Sequence, residues 1–379
     1  MESRNPPARI FRRAALLLVI AAFLSIPGQV LRPAHARAHV VPGPVEVGTS
    51  FSPLRAAALG LDYQAAFLQL EAMHFRVIRL STYWDQADLS ATDQLDWMMQ
   101  EANRARQPVV LAVGMKGLGW PEFFIPPAYQ PVGIGDGEDV AKDVLLRDAT
   151  LAFVSEMVDR YRLNPALVAW QVENEPFNRA GPHRWWIGRD FLLQEVAALK
   201  QLDNRPVIVN AFGHFDMGMD AASNRNGFDL RALLGFDADS AERQSLSTLA
   251  PGDILGLDTY TDIGYQNWLG LPATSRAGSD WADVIGRWRR TAAGQGKRAW
   301  VTEMQAEPWE ANRDDYLNAR STGPQDIGRR FTALHEQGFP VILLWGSEYW
   351  LYRAHMGDPS WLAAVQQLTG ADAQAPAVS

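Results

Sequence analysis

Cysteine is absent from the 379 residues. Disulfides, thiolate metal sites and thiol nucleophiles are excluded with it, so the folded state rests on its core alone. Metal-binding patterns are equally scarce. The seven histidines are scattered, none in a His-Glu-x-x-His array, and no carboxylate run has the register of a calcium loop. We therefore expect no metal and no other cofactor. Gly-x-Ser-x-Gly is also missing, which argues against a serine hydrolase. The glycines of Gly133-Ile134-Gly135-Asp136-Gly137 neither follow a strand directly nor open a helix, so they do not read as a phosphate cradle.

Long apolar runs are few. The run Ala14 to Ile26 is shorter than the roughly 20 residues of a comfortable membrane span. It follows Arg4, Arg9, Arg12 and Arg13 and precedes the small residues Ala34-His35-Ala36, the layout of a secretory signal. Residues 1–36 are expected to be that signal, giving a secreted or extracytoplasmic protein, with a membrane anchor as the alternative if the segment is uncleaved. Residues 37–44 read as a linker, 45–369 as one domain and 370–379 as a polar tail. Without residues 1–36, which hold five arginines and one glutamate, the formal charge falls from −8 to −12. That balance excludes nucleic acid as an expected partner. Nothing in the sequence indicates an oligomeric state.

What the chain does contain is a repeated alternation. Eight short apolar segments read as strands, Val45–Phe51, Arg76–Leu80, Pro108–Val113, Ala166–Trp170, Val207–Phe212, Ile254–Asp258, Arg298–Thr302 and Val341–Leu344. Helical spacing separates nearly every pair, as in Leu61–Met73, Leu95–Arg104, Val144–Tyr161, Gly188–Leu202, Trp281–Ala293 and Ile327–Glu336, with Trp361–Leu368 last and a short helix near Asp229–Leu234. Strand and helix in alternation indicate a parallel sheet, and eight repeats favour closure. The expected fold is α/β, a single-domain (β/α)8 TIM barrel.

In such a barrel every strand exit faces one pocket. The exits carry Arg79, Asn174, Glu175, His214, Tyr260, Glu303 and Trp345. Pro176 forces the chain out of the sheet after Trp170-Gln171-Val172-Glu173-Asn174-Glu175, which leaves Asn174 and Glu175 at the rim. A pair of carboxylates from well-separated strands is what hydrolysis of a glycosidic bond requires.

The Asn-Glu-Pro exit of the fourth strand and the Val301-Thr302-Glu303 exit of the seventh resemble the large clan of retaining (β/α)8 glycoside hydrolases that includes cellulases, β-mannanases and β-galactosidases, and the likeness is family 5-like. The resemblance covers nearly the whole chain after residue 44. It implies that Glu303 is the nucleophile and Glu175 the general acid/base. Asn174 would bind the sugar 2-hydroxyl, while Arg79 and Tyr260 would flank the nucleophile. Trp345 would form a sugar platform, and His214 sits where some relatives place a binding histidine. The implied activity is hydrolysis of β-linked oligo- or polysaccharides by double displacement. A transglycosylase would use the same residues, and a catalytically silent carbohydrate-binding barrel is the rival from another class.

Two further carboxylates keep the assignment open. Glu173 would share a face with Glu175 in strand register. Glu307 lies shortly after Glu303, which is preferred because it directly ends the apolar strand. Glu303, given donors from Arg79 and Tyr260, is expected to stay ionised, and Glu175, beside Trp-rich walls, to be raised. Trp84, Trp120, Trp268, Trp309 and Trp350 lie in or near the exits and could stack on sugars or pack in the core. Trp97-Met98-Met99 reads as helix packing onto the barrel. The long segments Gly114–Asp139 and Tyr260–Asp280 are expected to shape the substrate walls.

Overall fold

A computed structural model describes residues 44–86, 89–213, 240–267, 269–311 and 313–370. Eight parallel strands close into a barrel: β1 (Glu46–Ser50), β2 (Ile78–Ser81), β3 (Val109–Val113), β4 (Leu167–Val172), β5 (Val207–Gly213), β6 (Ile254–Thr259), β9 (Arg298–Gln305) and β10 (Val341–Trp345). Each pairs with its neighbours in order, and β1 joins β2 on one side and β10 on the other. The expected (β/α)8 barrel is thus the observed one. The remaining strands, β7 (Asp262–Gln266) and β8 (Pro272–Arg276), form an antiparallel hairpin between β6 and β9. The hairpin lies within the expected wall segment Tyr260–Asp280 but was not foreseen as strand.

The barrel strands are nearly wholly buried, because hydrophobic side chains fill the barrel and also face the helices outside. Inside, the lower layer is hydrocarbon, with Val77, Val110, Ala169, Ile208, Ile254, Val341 and Leu343 packed together beside Trp300. The next layer up is polar: Arg79, Gln171, Asn210, Asp258, Thr302 and Glu303, all buried. Buried polar groups are tolerated only when bonded, so this layer must be a connected network. Gly256 makes room for it, since a Cβ there would lie 2.6 Å from both Asn210 Cβ and Thr302 Oγ1.

Helices form where the sequence supplies a cap and an apolar stripe. Asp62 accepts a hydrogen bond from Ala65 N to open Tyr63–Ala72, and Asp143 accepts from Leu146 N to open Val144–Tyr161. Trp97 packs edge-on against Tyr63 and Phe67 of the helix Tyr63–Ala72, while Met98 and Met99 are buried in the core. Short helices Pro53–Ala58 and Ser347–His355, and the helix Ala241–Thr248, were not foreseen. They lie in segments read as strand exits or irregular loops, too short to show a helical period. The expected signal, the tail and the helix near Asp229–Leu234 lie outside the described residues. Among the described residues no helix is long and apolar enough to cross a membrane.

Candidate active site

β4 ends at Val172, and the chain then turns through two left-handed residues, Glu173 (φ 57°) and Glu175 (φ 46°). Such backbone costs about 1–3 kcal/mol per residue without glycine, so the surroundings must hold it. They do so with hydrogen bonds to backbone and side chain alike. Glu175 N donates to Asn210 Oδ1 at 2.7 Å, and Asn174 N donates to Lys116 O at 2.8 Å. Lys116 Nζ donates to Glu175 O at 2.7 Å and to Asn178 O at 3.0 Å. Asn178 Nδ2 then donates to Glu175 Oε2 at 2.9 Å, fixing the carboxyl itself.

The turn separates Glu173 from Glu175. Glu173 does not share the face of Glu175, as strand register had suggested, because the strand has already ended. Its carboxylate accepts from Met115 N at 2.9 Å and Lys116 N at 2.6 Å, pinning the start of the long segment after β3. Gly114 is needed for that approach: its φ is 137°, and a Cβ would sit 2.2 Å from Glu173 Cδ. Burial pushes the Glu173 carboxyl up, with the Lys116 and Met115 amides opposing.

Glu303 stands across the pocket on β9. Arg79 Nη2 donates to its Oε1 at 2.6 Å, and the Tyr260 hydroxyl donates to Oε2. Arg79 is itself fully buried and aimed by Ser50 Oγ, which accepts from Nε at 2.9 Å, and Gln171 Oε1, which accepts from Nη1 at 3.0 Å. A break in pairing register between β6 and β9 falls at Thr302, so that Leu257 pairs with Val301 but Asp258 pairs with Glu303. Consecutive residues Thr302 and Glu303 both reach the pocket through this bulge.

Asn174 Oδ1 accepts from Asn210 Nδ2 at 2.9 Å and from Gln171 Nε2 at 3.2 Å, which sets its amide orientation. Asp258 completes the floor. Its oxygens accept from Asn210 Nδ2 at 2.6 Å and from the Thr302 hydroxyl. One carboxylate oxygen each from Glu175, Asp258 and Glu303 lies within 4.8 Å of the other two. Burial pushes the Glu175 carboxyl up, and the neighbouring Glu303 charge pushes it further, with the Lys116 charge and hydrogen bonds to Asn178 and Asp258 opposing. The raised state therefore comes from burial and a neighbouring carboxylate. Asp258 is driven well above the usual carboxylate range by burial first, then by Glu303 and Glu175. A cation bound by these oxygens would have to compete with the guanidinium already on Glu303.

At the mouth, Trp345 is half-buried with the Arg55 guanidinium 5.0 Å and that of Arg79 5.9 Å from its ring centroid. Arg55 Nη2 donates to both oxygens of Glu307 at 2.8 Å and its Nη1 lies 3.4 Å from Glu348. Glu307 is thus bound up with Arg55, outside the cluster that holds Glu303. Trp309 sets its edge against Tyr260 at 5.0 Å and is 41% exposed, while Trp120 is 61% exposed. Trp84, stacked between Tyr129 and Phe153, and Trp350, which donates to Ala306 O at 2.7 Å, are core residues. His214 and Trp268 lie outside the described residues.

The structure thus brings Arg79, Asn174, Glu175, Tyr260 and Glu303 into one hydrogen-bonded floor with Trp345 above it. Sequence reasoning missed Asp258, Asn210, Lys116 and Arg55. A signal existed for two of them. Asn210 and Asp258 interrupt apolar strands, and a polar group there must find buried partners.

No protein-family model matches the chain, and no curated protein is similar to it in sequence. Solved structures do share its fold. The GH5_18 protein of Bifidobacterium longum subsp. longum, in complex with Manβ1-4GlcNAc, superposes with a TM-score of 0.56 at 12% identity, covering 88% of this chain and 79% of that one. The β-galactosidase of Rahnella sp. R3 gives 0.53 at 13% identity, with 87% and 56% covered. Exo-β-1,4-mannosidase Op5Man5 of Opitutaceae bacterium strain TAV5 gives 0.50 at 12%, with 79% and 51% covered. The chain thus spans only about half the length of the latter two. It has the (β/α)8 barrel that these glycoside hydrolases have.

Proposed function

We propose that this protein is a retaining β-glycoside hydrolase acting on oligo- or polysaccharides. The observation that carries this reading is the approach of Glu175 and Glu303, whose carboxylate oxygens come within 4.8 Å. Retaining enzymes keep their two carboxyl groups about 5–5.5 Å apart, whereas inverting ones leave about 6.5–9.5 Å for a water. The names borne by proteins of the same fold, among them a β-galactosidase and an exo-β-1,4-mannosidase, accord with a β-linked substrate.

In the first step a Glu303 oxygen attacks the anomeric carbon while the bond from that carbon to the leaving oxygen breaks. Glu175 delivers its proton to the departing oxygen, so the sugar leaves as a neutral alcohol. In the second step water attacks the same carbon, its proton passes to Glu175 and the ester to Glu303 breaks, restoring both groups. The two side chains suit these parts. Glu303 has oriented donors, while Glu175 is raised toward its acid form. A polar floor of Arg79, Asn174 and Tyr260 with the Trp345 ring above it suits a pyranose, which has hydroxyl edges and apolar faces.

The test is a covalent trap. The protein is incubated with activated 2-deoxy-2-fluoro β-glycosides, and any added mass is located by peptide mapping. A label on Glu303, lost in Glu303→Ala, is the expected result, and the sugar that reacts names the substrate class. A label on another carboxylate, such as Glu307, would overturn the assignment. Oligosaccharide binding without turnover or label would make the protein a binding barrel.

A further inference from the structure

The carboxyl of Asp258 has no part in the two steps above, yet it lies at their centre. It is fully buried at the end of β6, paired in register with Glu303, and one of its oxygens is within 4.8 Å of oxygens of both Glu175 and Glu303. We propose that Asp258 shares a proton with Glu175, and that this shared proton sets the upper pH limit of the acid/base. The inference rests on the reading of Glu175 as the acid/base.

Charge bookkeeping around the site leads to it. From β2, Arg79 supplies the guanidinium, which bonds Glu303 directly. From β9 comes the Glu303 carboxylate and the neutral Thr302 hydroxyl, and from β5 the neutral Asn210 amide. From β6 and its exit come Asp258 itself and the Tyr260 hydroxyl, already given to Glu303. On the segment after β3, the Lys116 charge lowers Glu175, and Glu122 is itself raised by Glu175 and Glu303. Three carboxylates thus converge where the guanidinium on hand is engaged by Glu303. Like charges so close and so dry cannot all ionise. Glu303 already has the Arg79 and Tyr260 donors, so Glu175 and Asp258, the two carboxyls that burial raises, share a proton and titrate as a pair.

This arrangement matters to a group that must alternate. Glu175 has to be protonated when the leaving oxygen departs and ionised when water attacks. A second carboxylate beside it delays loss of the pair's last proton to higher pH. Asn210 links the two groups mechanically as well, since its Oδ1 accepts from Glu175 N while its Nδ2 donates to Asp258.

The experiment compares wild type with Asp258→Asn, an isosteric change that removes the ionisable group. The pH profile of kcat/KM is measured on an aryl glycoside with a poor leaving group, and again on the 2,4-dinitrophenyl glycoside, whose departure needs no proton. With the poor leaving group, the alkaline limb should move at least one pH unit toward acid, about a tenfold larger loss at pH 8 relative to each protein's own maximum. The dinitrophenyl profile should not show that displacement. Alkaline limbs that superimpose, whatever the loss in maximal rate, would reduce Asp258 to a structural support and overturn the proposal. If circular dichroism shows Asp258→Asn unfolded, Asp258→Ser, which keeps a hydroxyl for Asn210, is put through the same comparison. The fluorosugar label on wild-type Glu303 is scored separately, so failure of the glycosidase reading is distinguishable from failure of this one.

Discussion

Arg79 Nη2 lies 2.6 Å from Glu303 Oε1 where solvent hardly enters, the two side chains being 0% and 4% exposed. A buried pair of this kind contributes little net stability, but breaking it strands a charge in a dry place. Arg79→Met is expected to lower stability by about 3–5 kcal/mol. The double variant Arg79→Met/Glu303→Gln should recover part of that loss. Urea unfolding of the set checks this, and equal losses in the single and double variants would contradict it.

Removing the acid should discriminate among leaving groups. Glu175→Ala is expected to reduce turnover by about 10²- to 10⁴-fold on glycosides with poor leaving groups, the range of general acid catalysis. Dinitrophenyl glycosides should suffer far less in the first step. Uniform loss across a series of aryl leaving groups would mean that Glu175 does not supply the proton.

Glu122 offers a test of the electrostatics that does not depend on activity. Burial pushes its carboxyl up to about 8, with the Lys116 charge opposing and Glu175 and Glu303 reinforcing. In the unfolded chain an ordinary glutamate titrates near about 4.3. Between these values the folded state holds a proton that the unfolded state has released, so this group's contribution to stability falls as pH rises from about 4.3 to 8. Glu122→Gln lacks that penalty. Its unfolding free energy should match wild type at acid pH and exceed it increasingly toward pH 8, by roughly 2 kcal/mol once solvent screening is discounted, with the melting temperature rising in step. Parallel melting curves at pH 5 and pH 8 would refute the assignment.

Much of the fold was legible because its signals are local. Each barrel strand is a short apolar run, and caps such as Asp62 and Asp143 sit where the helices begin. The expected strand exits supplied Arg79, Asn174, Glu175, Tyr260, Glu303 and Trp345, although Arg79 and Glu303 lie within β2 and β9 and Trp345 is the last residue of β10. The side on which a residue points was less legible once regular alternation failed. Glu173 was placed with Glu175 by strand register, but the left-handed backbone at both residues sends the Glu173 carboxyl to the amides of Met115 and Lys116. Thr302 and Glu303 are adjacent in sequence and would occupy opposite faces of a regular strand. The bulge against β6 gives both to the pocket.

The sequence by itself determined the strand–helix alternation, the closure into eight, and the identity of the residues at the strand ends. These follow from periodicity and from turn-forming residues, which act over a few positions. Tertiary structure alone decided that Asp258, Glu175 and Glu303 meet within 4.8 Å, that Asn210 spans two of them, and that Arg55 draws Glu307 away. Those meetings depend on register across β4, β5, β6 and β9, strands separated by long stretches of chain. A shift of one residue reverses every side chain, so no local pattern encodes them.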